Sequence, residues 1–245
     1  MECFSIKALD EIISELQPGD WFIVDIDDTL IAPQAMMFRP QSPHHKFIDD
    51  LKKTKPQNIA EILSTWRFNR RVVLVEAKWP EIIKQLKAKG VTVLGLTQMN
   101  SGSFGHIASM EKWRAAELAK LDLTFSPFAT DDVEIIIEND EPATLYQGIL
   151  FTGSHPKDET LKAFINKYPR PNRVVFIDDR LHQVELLAKF CKAANISYHG
   201  YHYLGASKLP YETSKDCGAI QTKMIANCQW AEDEDACQMQ SNAAW

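Results

Sequence analysis

The stretch WFIVDIDDTL, residues 21–30, decides the fold. Five of its first six residues are apolar, the mark of a short buried strand. Asp25, Asp27 and Asp28 then crowd three carboxylates into four positions. RVVFIDDR at 173–180 repeats the design, an apolar run closed by Asp178 and Asp179. Burying charge is costly, so acids at the end of a buried strand call for a partner that keeps them charged.

Outward from these strands, apolar residues alternate between strand-like and helix-like spacing. Ile6, Leu9, Ile12, Ile13 and Leu16 form a helical stripe, and PGD at 18–20 turns the chain into the first acidic strand. KWPEIIKQLKAKG at 78–90 reads as a helix, with Pro80 in its first turn and Gly90 just past its end. VTVLGL at 91–96 is the next strand, and MEKWRAAELAKL at 110–121 the next helix. VEIIIEND and TLYQGILFTG read as a β-hairpin, KDETLKAFINKY as a helix, LHQVELLAKFCKAAN as another, and ISYHGYHYLG as a last strand. Alternating short strands and helices predict an α/β fold, Rossmann-like, with a mainly parallel sheet flanked by helices. Residues 33–80 break the pattern. Four prolines between 33 and 70 and helical fragments without a strong strand make this a small, mostly helical insert, with 1–32 and 81–245 forming the core. From 205 onward the pattern weakens, and the end reads as a terminal helix or a frayed tail.

Composition narrows the classes. The chain of 245 residues is 45% hydrophobic and 24% charged, an ordinary globular balance. No apolar run approaches the roughly 18–20 residues that span a bilayer. The first 17 residues lack a basic start and a continuous apolar run, so no signal peptide is expected. A net charge of -6 argues against a nucleic-acid partner. The cysteines, at 3, 191, 217, 228 and 237, are odd in number, widely spaced and without a CxxC. They indicate neither a disulfide framework nor a zinc ribbon, and a reducing compartment fits. The pairs His44–His45 and His199–His202 have spacings that suit neither strand nor helix ligation of zinc.

In a parallel sheet, ligands bind beyond the carboxyl ends of the strands. With neighbouring strands about 4.8 Å apart, Asp178 meets Asp25 if the two acidic strands are adjacent. Carboxylates this close either take up protons or share a cation. An all-oxygen set selects magnesium over zinc. Each acidic pair taken singly also suits a helix cap; two on separate strands make coincidence a poor explanation.

The motifs resemble those of the haloacid dehalogenase-like (HAD) phosphohydrolases. FIVDIDDTL is similar to their first motif, VTVLGLT with Thr97 to the second, GSHPKDETLKAF with Lys157 to the third, and VVFIDD to the fourth. Lys162, in the same helix, is the second choice for the third. More narrowly, PEIIKQLKAKGVTVLGLT, GILFTG, RVVFIDDRLHQVE and HGYHYLG resemble the DUF2608-type HAD proteins of intracellular bacteria. One departure concerns the loop TQMNSGSF, where Gln98 follows Thr97 and the arginine common there in HAD phosphatases is absent.

The resemblance implies a magnesium-dependent phosphatase acting on a phosphomonoester through an aspartyl-phosphate. It assigns Asp25 as nucleophile and Asp27 as general acid and base, with Thr97 and Lys157 on the phosphoryl group and Gln98 beside the substrate. Magnesium is expected on the Asp25 and Asp178 side chains and the Asp27 backbone carbonyl, with Asp179 orienting them. The insert is expected to act as a short cap. A phosphorylated small molecule or protein side chain is the expected substrate. A phosphotransferase or sugar-phosphate mutase, or a partner-binding module with vestigial chemistry, stand as alternatives. The protein is expected in the cytoplasm of its producing cell, or delivered to a host cell without a signal peptide.

Overall fold

A computed structural model of the chain describes residues 1–128 and 132–242. In chain order its elements are β1 (Glu2–Cys3), α1 (Asp10–Glu15), β2 (Trp21–Val24), β3 (Ile31–Pro33), α2 (Phe47–Thr54), α3 (Ile59–Asn69) and β4 (Val72–Leu74). Then come α4 (Trp79–Ala88), β5 (Thr92–Thr97), α5 (Met110–Ala119), β6 (Glu134–Ile137), β7 (Ala143–Tyr146) and β8 (Ile149–Phe151). The last are α6 (Lys157–Lys167), β9 (Arg173–Asp178), α7 (Leu181–Ala193), β10 (Ser197–Tyr203), α8 (Gly218–Ala226) and α9 (Asp233–Asn242). They group into two compact units: Met1–Ile31, Leu74–Gly102 and Ser109–Gly205 make one, and Ala32–Val73, Ser103–Ala108 and the chain from Ala206 make the other.

The first unit is an eight-stranded sheet in the order β1-β10-β9-β2-β5-β8-β7-β6. The six strands from β1 to β8 pair in parallel, and β7 and β6 continue antiparallel. This is the α/β architecture expected from the strand and helix periodicities. β2 is wholly buried between parallel neighbours, which explains why it reads as an unbroken apolar run. Its side chains still alternate between two faces. Trp21 meets Phe164 of α6 with ring centroids 5.4 Å apart, while Phe22 meets Trp79 of α4 at 6.5 Å. Helices therefore cover both sides, and a core of Ile23, Leu94, Leu161, Phe176 and Leu187 fills one of them.

The order of connection positions the site. From β2 the chain crosses to β5 on one side, and later returns to β9 on the other. β2 is thus where the winding reverses, the place where open α/β sheets leave a crevice beyond the strand ends.

Several details differ from the sequence reading. The N-terminal helix is a 3-10 turn at Ile6–Leu9 followed by α1, and β1 adds an edge strand before it. The hairpin is a three-stranded meander. Gln147 and Gly148, both with positive φ, make the two-residue turn between β7 and β8. The insert is flanked by strands: Gln34 donates its N–H to the Arg71 carbonyl and Val75 to Leu30, both at 2.9 Å, making β3 and β4 a small antiparallel pair.

The second unit is mainly helical. Met37, Leu51, Ile62, Leu63 and Ile225 are buried with Trp66, which Phe38 meets at a tilt and Trp230 edge to face. Residues beyond 205, assigned to the core by pattern, belong here, and the acidic end is a helix. Asp233 accepts the Met36 N–H at 2.9 Å, and Glu232 the Arg71 N–H at 2.6 Å. The acids in the first turn of α9 also suit its dipole. Cys217 and Cys237 form a disulfide with Cα atoms 5.4 Å apart, while Cys3, Cys191 and Cys228 are free. This corrects the expectation of no disulfide: 20 residues apart in sequence, the two meet only because α8 and α9 fold back on each other.

Candidate active site

β2 and β9 are adjacent and in register, Val24 opposite Ile177. The Asp25 N–H donates to the Ile177 carbonyl at 2.9 Å, continuing the ladder one residue past the strand. Asp25 therefore stands beside Asp178. Oxygens from Asp25, Asp178 and Asp179 lie within 4.8 Å of one another.

Lys157 opens α6 with its side chain buried, and its Nζ donates to Asp25 Oδ1 at 2.5 Å and Asp178 Oδ2 at 2.6 Å. Lys162, the alternative lysine, is exposed. Thr29 is fully buried and donates its hydroxyl to Asp25 Oδ2 at 3.4 Å. The Arg180 N–H donates to Asp178 Oδ1 at 2.8 Å. Asp28, with φ of 61°, is the left-handed residue of the turn that follows β2.

Thr97 ends β5, the neighbour of β2 on the other side, and is buried. Gln98 is exposed and accepts from the Gln183 side-chain amide at 3.1 Å. Asp25, Asp27, Thr97, Gln98, Lys157 and Asp179 all line one cleft of about 60 Å³. Asp178 lies just behind it, fully buried. His202 stands at its margin, its Nε2 3.0 Å from the Asp179 carbonyl oxygen.

Asp27 is held by a residue that the sequence reading passed over. Arg114, in α5, places Nη2 3.0 Å from Oδ1 and 2.8 Å from Oδ2 of Asp27, and Nη1 2.6 Å from Glu117. A signal for it existed: Met110, Arg114 and Leu118 fall at i, i+4 spacing, so the arginine sits inside the apolar stripe of its helix.

The electrostatics are unbalanced toward negative charge. Burial pushes Asp25 up to about 7, Lys157 opposing and Asp178 adding to the rise. Burial also lifts Asp179 to about 8, together with the charges of Asp25, Asp178 and Asp28, Arg180 partly opposing. Burial works against the Lys157 ammonium, but Asp25 and Asp178 outweigh it and its proton is held more tightly than usual. The three carboxylates meet beside one ammonium, which contacts two of them. The donors are all hard oxygens, which suits magnesium better than zinc.

The family model described as "Protein of unknown function (DUF2608)" matches residues 3–236. A protein of Rickettsia prowazekii (strain Madrid E), "Uncharacterized protein RP296", is 28% identical over 95% of this chain and 87% of its own length. A "Putative outer membrane protein" of Chlamydia trachomatis serovar D is 23% identical over 91% of the chain and 86% of its own length. A Chlamydia pneumoniae protein of similar name is 24% identical over 82% and 77%. No solved structure matches the chain.

Proposed function

The chain belongs to the DUF2608 family, and we propose that it is a phosphatase of the HAD type, hydrolysing a phosphomonoester through a phosphorylated Asp25. The observation that carries this reading is the meeting of Asp25, Asp178 and Lys157 at the reversal point of the sheet, with Nζ at 2.5 and 2.6 Å from the two carboxylates. A nucleophilic carboxylate, a fixed cation beside it and further carboxylates for a metal are the parts that phosphoryl transfer needs, since the task is mainly positioning and charge neutralisation.

Asp25 attacks phosphorus and the ester oxygen leaves. Asp27, protonated when the ester binds, gives that oxygen its proton, and then regains one from the water that attacks the aspartyl-phosphate, returning Asp25 and releasing phosphate. Lys157 pairs with the phosphoryl oxygens while holding Asp25 in line. Thr97 donates its hydroxyl to the same group. Asp25, Asp178 and Asp179 would hold magnesium, with the Asp27 carbonyl as a further oxygen. When bound it supplies positive charge to the phosphoryl oxygens and keeps the carboxylates ionised. An acid at position 27 suits an alkoxide or phenoxide leaving group, which favours ester hydrolysis over dehalogenation.

The test is a panel of phosphotyrosine peptide, nucleotides, sugar phosphates and p-nitrophenyl phosphate, with and without magnesium. Magnesium-dependent release of phosphate by the wild type, lost in Asp25→Asn, supports the reading. An isomeric phosphate in place of inorganic phosphate points to a mutase, and no turnover of any kind overturns the assignment.

A second reading concerns location. The Cys217–Cys237 disulfide suits a compartment where thiols are oxidised, and two relatives carry outer-membrane names. Among the described residues no helix is long and apolar enough to cross a membrane. Export from the cytoplasm fits these observations better than retention, and thiol trapping of the protein in its producing cells tests it.

A further inference from the structure

Burying a guanidinium costs several kcal/mol unless partners offset it. Arg114 is buried to 1% exposure, yet its ion-pair partner Asp27 is 42% exposed and lines the cleft. The two meet across 87 residues of sequence. One nitrogen, Nη2, touches both Asp27 oxygens, while Nη1 is tied to Glu117, three residues along α5. The Arg114 ring contact with Trp113, at 5.2 Å, braces the guanidinium from another side. Among the described residues its buried Nε has no hydrogen-bond acceptor.

α5 is anchored by other groups. Ser109 caps it, accepting the Lys112 N–H at 3.3 Å. The buried carboxylate of Glu111 accepts from the Gly102 N–H, the Ser109 hydroxyl and the Thr144 hydroxyl at 2.8–3.0 Å. Arg114 places Nη2 on a side chain at the mouth of the cleft and Nη1 on Glu117 of its own helix.

We infer that Arg114 is a positioning residue: it sets the direction in which Asp27 presents its carboxyl oxygens to the leaving group and the attacking water. This rests on the phosphatase reading and adds the device that aims its acid and base. Glu117 holds the far arm, so that the guanidinium acts as a fixed fork. A mis-aimed carboxyl leaves binding intact and slows the proton transfers, most of all for an ester whose leaving oxygen needs the proton.

The experiment is a double-mutant cycle of Arg114→Gln and Asp27→Asn, assayed on glycerol 2-phosphate and p-nitrophenyl phosphate, with magnesium titration by tryptophan fluorescence as a check on the site. Arg114→Gln is expected to lower kcat on glycerol 2-phosphate by about 10²-fold, the usual cost of misplacing a catalytic group by about 1 Å. KM is expected to move by less than about threefold. The loss is smaller on the activated ester, and Arg114→Gln adds no loss in the Asp27→Asn background. Equal losses on both esters, or a full further loss on top of Asp27→Asn, overturn the inference in favour of a structural role. If Arg114→Gln does not fold, Arg114→Lys keeps the charge without the fork and is expected to lose about tenfold by the same pattern. A wild type inactive on both esters fails the phosphatase reading and this inference together; an active wild type with an unimpaired Arg114→Gln fails only this one.

Discussion

Replacing Lys157 by methionine removes one ammonium from between two buried carboxylates and leaves the volume nearly unchanged. Asp178 is fully buried and Asp25 nearly so, and both lie within 2.6 Å of the nitrogen that is lost. Removing one partner of a buried ion pair costs about 3–5 kcal/mol, because the remaining charge is left without compensation. At about 2–4 °C per kcal/mol for a chain of this size, the melting temperature falls by roughly 6–20 °C in metal-free buffer. The carboxyls escape the penalty by binding protons, so the loss is larger at about pH 8.5 than at about pH 5.5. Saturating magnesium supplies charge to the same oxygens and recovers part of the loss. Thermal and urea unfolding followed by tryptophan fluorescence, at both pH values with and without magnesium, measure all of this. A loss below about 1 kcal/mol at the higher pH, or one independent of pH, refutes the view that Lys157 neutralises these acids.

The metal-free wild type carries a related signature. Asp25 and Asp179 sit at about 7 and about 8 in the folded chain, above their ordinary value of 3.8. Their folded-state contribution is full below that value and is lost as pH rises through 7 and 8, so metal-free stability declines over this window and the gain from magnesium grows across it; equal magnesium-induced shifts in melting temperature at about pH 5.5 and about pH 8.5 contradict this. Asp25→Asn keeps the fold but lowers phosphate release by at least about 10³-fold, as a lost nucleophile does, and near-normal turnover removes Asp25 from that role. Cys237→Ser, or reduction, destabilises the second unit by about 3 kcal/mol for a loop of this length, seen as faster hydrogen exchange in α9; unchanged exchange shows that the staple is dispensable.

Much of the first unit was legible because its signals are local. β2 and β9 announce themselves as apolar runs closed by acids, and α4 by Pro80 and Gly90 at its ends. The acids themselves suggested the adjacency of the two strands, since charge at two strand ends needs a shared partner. What escaped depends on contacts between distant residues. β1 has two residues and exists only because β10 offers an edge. The turn at Gln147–Gly148 lacks the Asn or Asp that usually marks this geometry. The end of the chain reads equally as a terminal helix or a frayed tail, and the choice is made by Met36 and Arg71, whose backbone N–H groups Asp233 and Glu232 accept. Arg114 looks like one more surface charge in MEKWRAAELAKL, and only its place between Met110 and Leu118 hints at burial.

The central claim is that phosphorus is transferred to Asp25 before it reaches water. Asp27→Asn, which slows the second step, is the variant in which the phosphorylated enzyme accumulates. Acid quenching during turnover of p-nitrophenyl phosphate, followed by peptide mass spectrometry, locates the group. The account predicts an acid-stable, hydroxylamine-labile phosphoryl group on the peptide containing Asp25; phosphate release without that adduct, or with the adduct on another residue, contradicts it.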